Sequence, residues 1–536
     1  MADAYDAAIL GGGHNGLTAA AYLAGAGYKV IVLEKNAAVG GAALTEEFAP
    51  GFRNSVASYT VSLLNPKVIG DLELTRHGLT ILERPAGNFW PLDGTRSMHL
   101  PYGSRAARQK AMAQFSVRDA ERYAAYDDAL DRAAGVLRDL VTRTPPNAGG
   151  GLLELIRGGA VGRRILKLPL EDQRLLVELF TSSAQAFLDR WFENEHIKAA
   201  FAFDGIVGAY LPPSAPGTAY VLLHHCFGEV NGKKGVWGHA VGGMGAISAA
   251  IACAARARGA EIRTCAPVTR LRMENGRAAG VVLASGEEIA ARVVAANIPP
   301  KLLLRDVVPV DAVPPDVRAP FLSMTTGSGV LRMNVALDEL PDFTAKPGTH
   351  AQPHHASGIL FAPTMAYMEQ AYADARQFGT SRAPVIEMLI PSTLDETLAP
   401  KGKHVASLFV QYVAPRLPAP RSWEDPAEKE AFADTVLEAV TRHAPNFSRA
   451  VVARQILSPL DLEQRFGLID GDIFHGQLGL GQLFSARPVL GYANYRMPVP
   501  GLYLCGSGGH PGGGVTGVPG MNAAREIAKD LRLRRF

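Results

Sequence analysis

Cysteine is scarce. There are four in 536 residues, Cys226, Cys253, Cys265 and Cys505, and no two are spaced as CxxC. This excludes a close-set redox disulfide and a cysteine-rich zinc site, and fits buried thiols in a reducing compartment. Net charge is nearly absent, +3 from 54 basic and 51 acidic residues. A nucleic-acid binder would show a basic excess with interleaved aromatics, and neither is present. No run of about 18 apolar residues is free of charge, so no membrane-spanning helix is expected. The first apolar strand begins within a few residues of Met1, which leaves no room here for a signal or transit peptide. The expectation is a cytoplasmic protein. His224-His225 and His354-His355 lack spaced carboxylates and make poor ligand sets, so no metal is expected.

What is present is an ordinary globular balance, 47% apolar and 20% charged. The length exceeds what one core serves, so two domains are expected, interleaved in the chain. Heavy Ala, Gly, Arg and Pro usage suggests a high-GC bacterial source.

The most informative stretch is Tyr5 to Lys35. It reads as a buried strand (Ala7 to Leu10), a glycine turn, an alanine-rich helix (Asn15 to Ala26) and a second strand (Lys29 to Leu33) closed by Glu34. The glycines fall as Gly11-x-Gly13-x-x-Gly16. The first permits the turn, the second lets a pyrophosphate approach the backbone, and the third lets the helix pack closely. The helix start offers free N–H groups to phosphate, and Glu34 stands where a carboxylate accepts ribose hydroxyls. That carboxylate would repel a 2′-phosphate, which disfavours NADP. FAD and NAD both remain open from this stretch.

Gly40-Gly41 follows as a ligand-facing loop, and Ser55 to Leu64, apolar and small, suits the lining of a cavity. From Ser104 to about Phe192 the pattern is helical, with Ser116 as an N-cap. Within it, Leu152 to Pro169 is apolar and basic, with Arg157, Arg163, Arg164 and Lys167. A membrane-surface patch is one reading, and an ordinary helix pair with a solvated charged face is preferred. At Gly235 the chain turns glycine-rich: a loop (Trp237 to Gly243), a helix (Met244 to Arg258), a strand (Ala260 to Cys265) and a hairpin turning at Asn275-Gly276. GGMG lacks the dinucleotide spacing and no strand is expected to feed it. Pro299 to Asp316 reads as a crossing linker. Strands at Gly329 to Leu340, Val385 to Ile390 and Val405 to Val413 form a second, mixed sheet. The chain closes with a strand (Leu502 to Cys505), a long glycine loop and a helix from about Gly520, which repeats the physics of the opening turn.

These residues together resemble the phytoene-desaturase-like flavoproteins, which include carotenoid desaturases and isomerases. The likeness rests on GGGHNGLTAAAYL (11–23), GGAALTEEFAPGF (40–52), SYTVSLLNP (58–66), GGMGAISAAIA (242–252), PHH (353–355), IFHG (473–476) and GLYLCGSGGHPGGGV (501–515). Within the group it is similar to the branch named for a pyridine nucleotide-disulfide oxidoreductase domain. That name does not fit a chain with no CxxC pair and no second nucleotide fold, so disulfide reduction is disfavoured.

The resemblance implies FAD and an α/β fold: a Rossmann-like FAD-binding domain built from both termini, with an inserted α+β substrate domain. The expected division is 1–90 with 235–300 and 485–536 for FAD, and 91–234 with 301–484 for substrate. It places Gly11, Gly13 and Gly16 at the pyrophosphate turn, with His14 and Asn15 inside it. Glu34, with Lys35 beside it, meets the adenosine ribose. Gly40, Gly41 and Ala42 border the phosphates, where many relatives carry Arg instead of Ala42. Val268 meets adenine, Gly506 and Ser507 approach the ribityl region, and Val518 faces the flavin pyrimidine.

The implied chemistry is hydride transfer at the flavin, with the protein positioning the bond to be oxidised. An apolar helical excursion suits a lipophilic small molecule. Dehydrogenation or saturation of a C–C bond, or double-bond isomerisation, is favoured. Amine oxidation and a scaffold with little turnover are the alternatives. Reoxidation falls to O₂, a quinone or a carrier protein, with contact at the inner membrane an option. His239 and His510 are the acid/base candidates, but a loop-shaping role is preferred for each, and no catalytic residue is assigned. Tyr59, Trp237 and Phe474 read as core packing.

Overall fold

The computed structural model describes residues 4–534. Its opening elements are a strand, β1 (Tyr5–Leu10), a helix, α1 (His14–Gly25), and a strand, β2 (Val30–Leu33). All of β2 and β1 from Ala7 onward are buried. Uninterrupted apolar runs of this kind fit a parallel sheet covered on both faces. β1 lies between β2 and the strand Glu288–Ala296, parallel to both, with Ala7 opposite Val30 and Val293. Glu261–Arg263 extends the sheet beyond β2, and Leu502–Leu504 pairs with Glu288–Ala296, both in parallel. The hairpin expected at Asn275-Gly276 adds Val268–Glu274 and Arg277–Leu283 on the antiparallel side. One seven-stranded sheet therefore gathers strands from three distant parts of the chain. Helices Gly245–Ala257 and Val518–Leu533 pack beside α1.

The second sheet also has seven strands. Its order is Val451–Leu457, Val330–Leu337, His404–Val413, Thr380–Leu389, Gly358–Phe361, Asn88–Asp93 and Arg96–Leu100. The three expected strands are among them. The Asn88–Leu100 hairpin was not foreseen, because Pro91 inside a strand argues against a ladder position. Its first strand straddles residue 90 and pairs in parallel with Gly358–Phe361. Helices from Arg105 to Cys226 cover this region. The long one, Val117–Val141, starts as expected at Ser116, whose hydroxyl accepts the Asp119 N–H at 3.1 Å.

Two segments differ from expectation. Pro299 to Asp316 is folded, not a linker: its prolines open short helical turns, and Leu303, Leu304 and Val307 are buried. Proline at a first helical position is favourable, since its missing N–H would have no partner there. The stretch before GGMG holds a short strand, Gly238–Ala240, antiparallel to Ile81–Glu83.

Candidate functional site

The carboxyl ends of β1, β2 and Glu288–Ala296 open into one cavity of about 370 Å³. This is where an open parallel sheet binds ligands. Gly11, Gly13, His14, Glu34, Lys35, Gly40, Gly41, Ala42, Val268 and Ser507 line it, ten of the fourteen residues expected at the cofactor. Asn15, Gly16, Gly506 and Val518 do not.

The glycines are there for space. A Cβ on Gly16 would lie 2.3 Å from the Gly11 carbonyl oxygen, and one on Gly13 would lie 2.8 Å from Asn297 Nδ2. A Cβ on Gly41 would reach 3.5 Å from the Gly13 Cα, and the Gly40 N–H donates to the Gly12 carbonyl at 2.9 Å. The second glycine pair thus lies against the first, across the space a diphosphate needs. No side chain caps the start of α1, and its first turn holds no acid. Its free N–H groups remain available to an anion.

Glu34 is buried. One carboxylate oxygen accepts the Gly12 N–H at 2.8 Å and the other accepts the Asn36 N–H at 2.9 Å. Each oxygen keeps a second lone pair for a ribose hydroxyl. Lys35 donates to the Gln464 carbonyl at 3.1 Å, and burial lowers its pKa. His14 is buried, its Nε2 has no partner, and burial lowers its pKa to about 4, so it is neutral at pH 7. An unpartnered ring nitrogen beside an uncapped helix start fits a polar ligand. Asn15 donates to Ser507 Oγ at 3.1 Å, joining the two glycine segments. Gly506 packs on Asn297, and Val518 is buried at the start of the last helix.

The same cavity continues against the second sheet. There its wall includes Tyr59, Arg84, Asp204, Trp237, Glu387 and Phe409. Tyr59, Trp237 and Phe474 line this space, while Phe474 also belongs to a buried apolar cluster and Tyr59 packs against another. The Tyr59 hydroxyl donates to the Glu387 carboxylate, and its ring lies 5.2 Å from Phe409 and 4.4 Å from the buried Arg332 guanidinium. Burial raises the Glu387 pKa against the opposing pull of Arg84 and Arg332. Trp237 stacks on His225, with ring centroids 6.2 Å apart. Asn297, Asp204 and Glu387 were missed. A single Asn after a strand, or an acid inside a helix-rich or β-branched run, carries no local signal, and only the topology brings them together.

His239 and His510 are not in the cavity wall. His239 Nε2 lies 2.9 Å from Asp395 Oδ2, which also accepts the Gly242 N–H at 2.7 Å. His510 Nε2 lies 3.2 Å from the Leu140 carbonyl. His239 thus ties its strand, Gly238–Ala240, to Asp395, and His510 ties the last glycine loop to the Val117–Val141 helix. Among the described residues no cluster of His, Cys, Asp and Glu could hold a metal.

A family model for flavin containing amine oxidoreductase matches residues 16–339. The chain belongs to this family. Membership implies a flavin cofactor, and the glycine cradle and uncapped helix start suit one. The rat protein named pyridine nucleotide-disulfide oxidoreductase domain-containing protein 2 is 42% identical, across 98% of this chain and 94% of its own length. The carotenoid-desaturase likeness extends to hydroxyneurosporene desaturase of Cereibacter sphaeroides, 26% identical across 98% of each chain. A limonene dehydrogenase component from Castellaniella defragrans is 24% identical, across 98% of this chain and 95% of its own. The fold matches putrescine oxidase bound to putrescine, with a TM-score of 0.62 at 16% identity, covering 99% of this chain and 100% of that one. The bacterial source suggested by composition finds no support in a rodent relative at 42% identity. The protein is a flavoprotein oxidoreductase with mixed α/β architecture, and no helix among the described residues is long and apolar enough to cross a membrane.

Proposed function

We propose that this protein is an FAD-dependent oxidoreductase acting on a lipophilic small molecule, adding or removing hydrogen across a C–C bond, with double-bond isomerisation as the related outcome. The observation that carries this reading is one continuous cavity, which runs from a dinucleotide cradle at the first sheet to a chamber at the second whose wall sets Tyr59, Trp237, Phe409 and Phe474 beside Arg84, Asp204 and Glu387. Bound there, FAD would supply hydride exchange at its N5. Glu34 would hold the adenosine ribose, and the α1 N–H groups the diphosphate. Leu63, Val207, Phe409 and Phe474, which line the cavity, would shield the reacting bond from water. The dehydrogenase and desaturase among the relatives act, by their names, on limonene and hydroxyneurosporene, which supports an alkene or polyene substrate.

Amine oxidation has two observations in its favour, the match to the flavin containing amine oxidoreductase family and the acids Glu387 and Asp204 in the cavity wall. The Glu387 charge is already met by Tyr59, Arg84 and Arg332, which leaves it poorly placed to anchor a cation. Anaerobic mixing of the flavin-loaded protein with limonene and with putrescine separates the readings. Bleaching by limonene supports the alkene reading, and bleaching by putrescine alone supports the amine reading. A flavin left oxidised by both fits a binding scaffold.

Reoxidation is assigned to O₂, a quinone or a carrier protein. Peripheral contact with an anionic bilayer belongs to the same proposal. The helix Leu152–Leu166 buries no residue, and Leu152, Leu153, Leu155, Ile156 and Leu166 are all exposed beside Arg163 and Lys167. A solvated charged face alone would not carry those leucines, and the pairing of apolar and basic residues is that of an interfacial helix.

A further inference from the structure

A second cavity of about 310 Å³ lies against the first. The two share four wall residues, Asn88, Asp204, His225 and Trp237. The second opens outward between Arg105, Asp127, Asp128, Asp131 and Lys234, which are tied by surface ion pairs. Asp204 thus stands where the buried chamber meets a route to solvent. Among the described residues its carboxyl makes no hydrogen bond, whereas the other titratable groups of the chamber are committed or silent.

Glu34 holds two backbone N–H groups, and Lys35 holds a carbonyl. Glu387 holds the Tyr59 hydroxyl, and burial with the Glu387 charge lifts the Tyr59 pKa well above its ordinary value. His225 Nδ1 lies 2.9 Å from the Val221 carbonyl. Burial holds His14 at about 4 and His475 at about 3, both neutral at pH 7. Asp306 pairs with Arg305.

We propose that Asp204 is the catalytic proton acceptor and donor of this site. The inference rests on the alkene reading above. With FAD held at the glycine cradle by Gly11, Gly13 and Glu34, oxidation of a CH–CH unit would pass hydride to the flavin from one carbon. The C–H electron pair of its neighbour forms the new C=C bond, and that proton passes to the Asp204 carboxylate. It then leaves through the second cavity. In saturation the protonated carboxyl returns it.

The surroundings suit this exchange. Glu387 faces Asp204 from the second sheet and opposes its ionisation, and Arg108 from the helix Arg105–Met112 favours it. Tyr102, Tyr126 and Cys226 also face it, all carried well above neutrality by burial, and His225 meets its backbone carbonyl. Burial dominates and raises the Asp204 pKa to about 7, where a general base works best.

The test compares flavin-loaded wild type with Asp204→Asn, with equal flavin content as the check on folding. Infrared difference spectra across about pH 5 to 9 read the carboxyl directly. A carboxyl band that titrates near neutrality and is missing from Asp204→Asn supports the proposal, and its absence from wild type overturns it. Anaerobic reduction by limonene reads the chemistry. The substitution is expected to slow it about 10²–10⁴-fold and to abolish its pH dependence near neutrality. Equal rates and equal pH profiles overturn the proposal while leaving the alkene reading intact. If limonene bleaches neither protein, the alkene reading fails on that probe, and the infrared band alone decides whether Asp204 exchanges a proton near pH 7.

Discussion

Glu34 both organises the turn and faces the ligand, so its replacement has two costs. Glu34→Gln keeps the shape but loses the charge that two backbone N–H groups share. Hydrogen bonds to a charged group are worth about 1.5–3 kcal/mol. FAD affinity of the variant, measured by quenching of flavin fluorescence, should fall by about one to two orders of magnitude. Asp395 offers a pH test away from the cavity. The bonds from His239, Thr397 and Gly242 outweigh burial and hold its carboxyl well below the usual range. A depressed carboxylate adds stability that is complete above its unfolded value, about 4, and is lost as pH falls toward the folded one. Asp395→Ala should therefore cost about 1–3 kcal/mol at pH 7 in urea melts, since it leaves the Gly242 and Thr397 N–H groups without their acceptor. The gap to wild type should narrow progressively below pH of about 4. A gap independent of pH would contradict the assignment.

At the scale of elements, the last helix closes on the first. A Cβ on Gly520 would lie 2.1 Å from the Asn15 carbonyl oxygen. Gly520→Ala must push the Val518–Leu533 helix away from α1, at a cost of about 1–3 kcal/mol, the usual range for overpacking. Thermal melts measure the loss. Flavin retention should fall with it, because Asn15 bonds Ser507 across the same seam. The Leu152–Leu166 helix makes the opposite case, an element whose residues all stay at least partly exposed. Leu152→Ser with Leu155→Ser should abolish co-sedimentation with phosphatidylglycerol vesicles and leave flavin content unchanged. Co-sedimentation that also persists when Arg163 and Arg164 become Ser would remove the membrane proposal. Elements of these two kinds differ in how well they can be read. β1, α1 and β2 announce themselves through apolar runs and glycine spacing, because their signals are local. The Gly238–Ala240 strand owes its form to a partner more than a hundred residues away, and no local pattern carries that pairing, whereas the Asn88–Leu100 hairpin has a local turn signal at Asp93-Gly94 that Pro91 obscures.

Over the whole molecule, the cofactor end of the cavity was legible, and of the other end only the stretch Ser55 to Leu64, which supplies Ala57, Tyr59 and Leu63 to the wall. Gly11, Gly13, Glu34 and Gly40 could be named because phosphate and ribose demand particular backbone and particular charge, and Ser507 because of the family resemblance alone. Tyr59, Arg84, Asp204 and Glu387 come from four separate segments, and only the folded topology makes them neighbours. The account turns on one arrangement: a single FAD held between the first glycine turn and the last, with everything between them building the chamber it faces. The most direct measurement is to denature the purified protein, separate the released cofactor by chromatography and count it against protein. The account predicts one FAD per chain, and fewer from Glu34→Gln at limiting FAD. Stoichiometric FMN or NAD, or a protein that neither carries FAD nor takes it up, would contradict it.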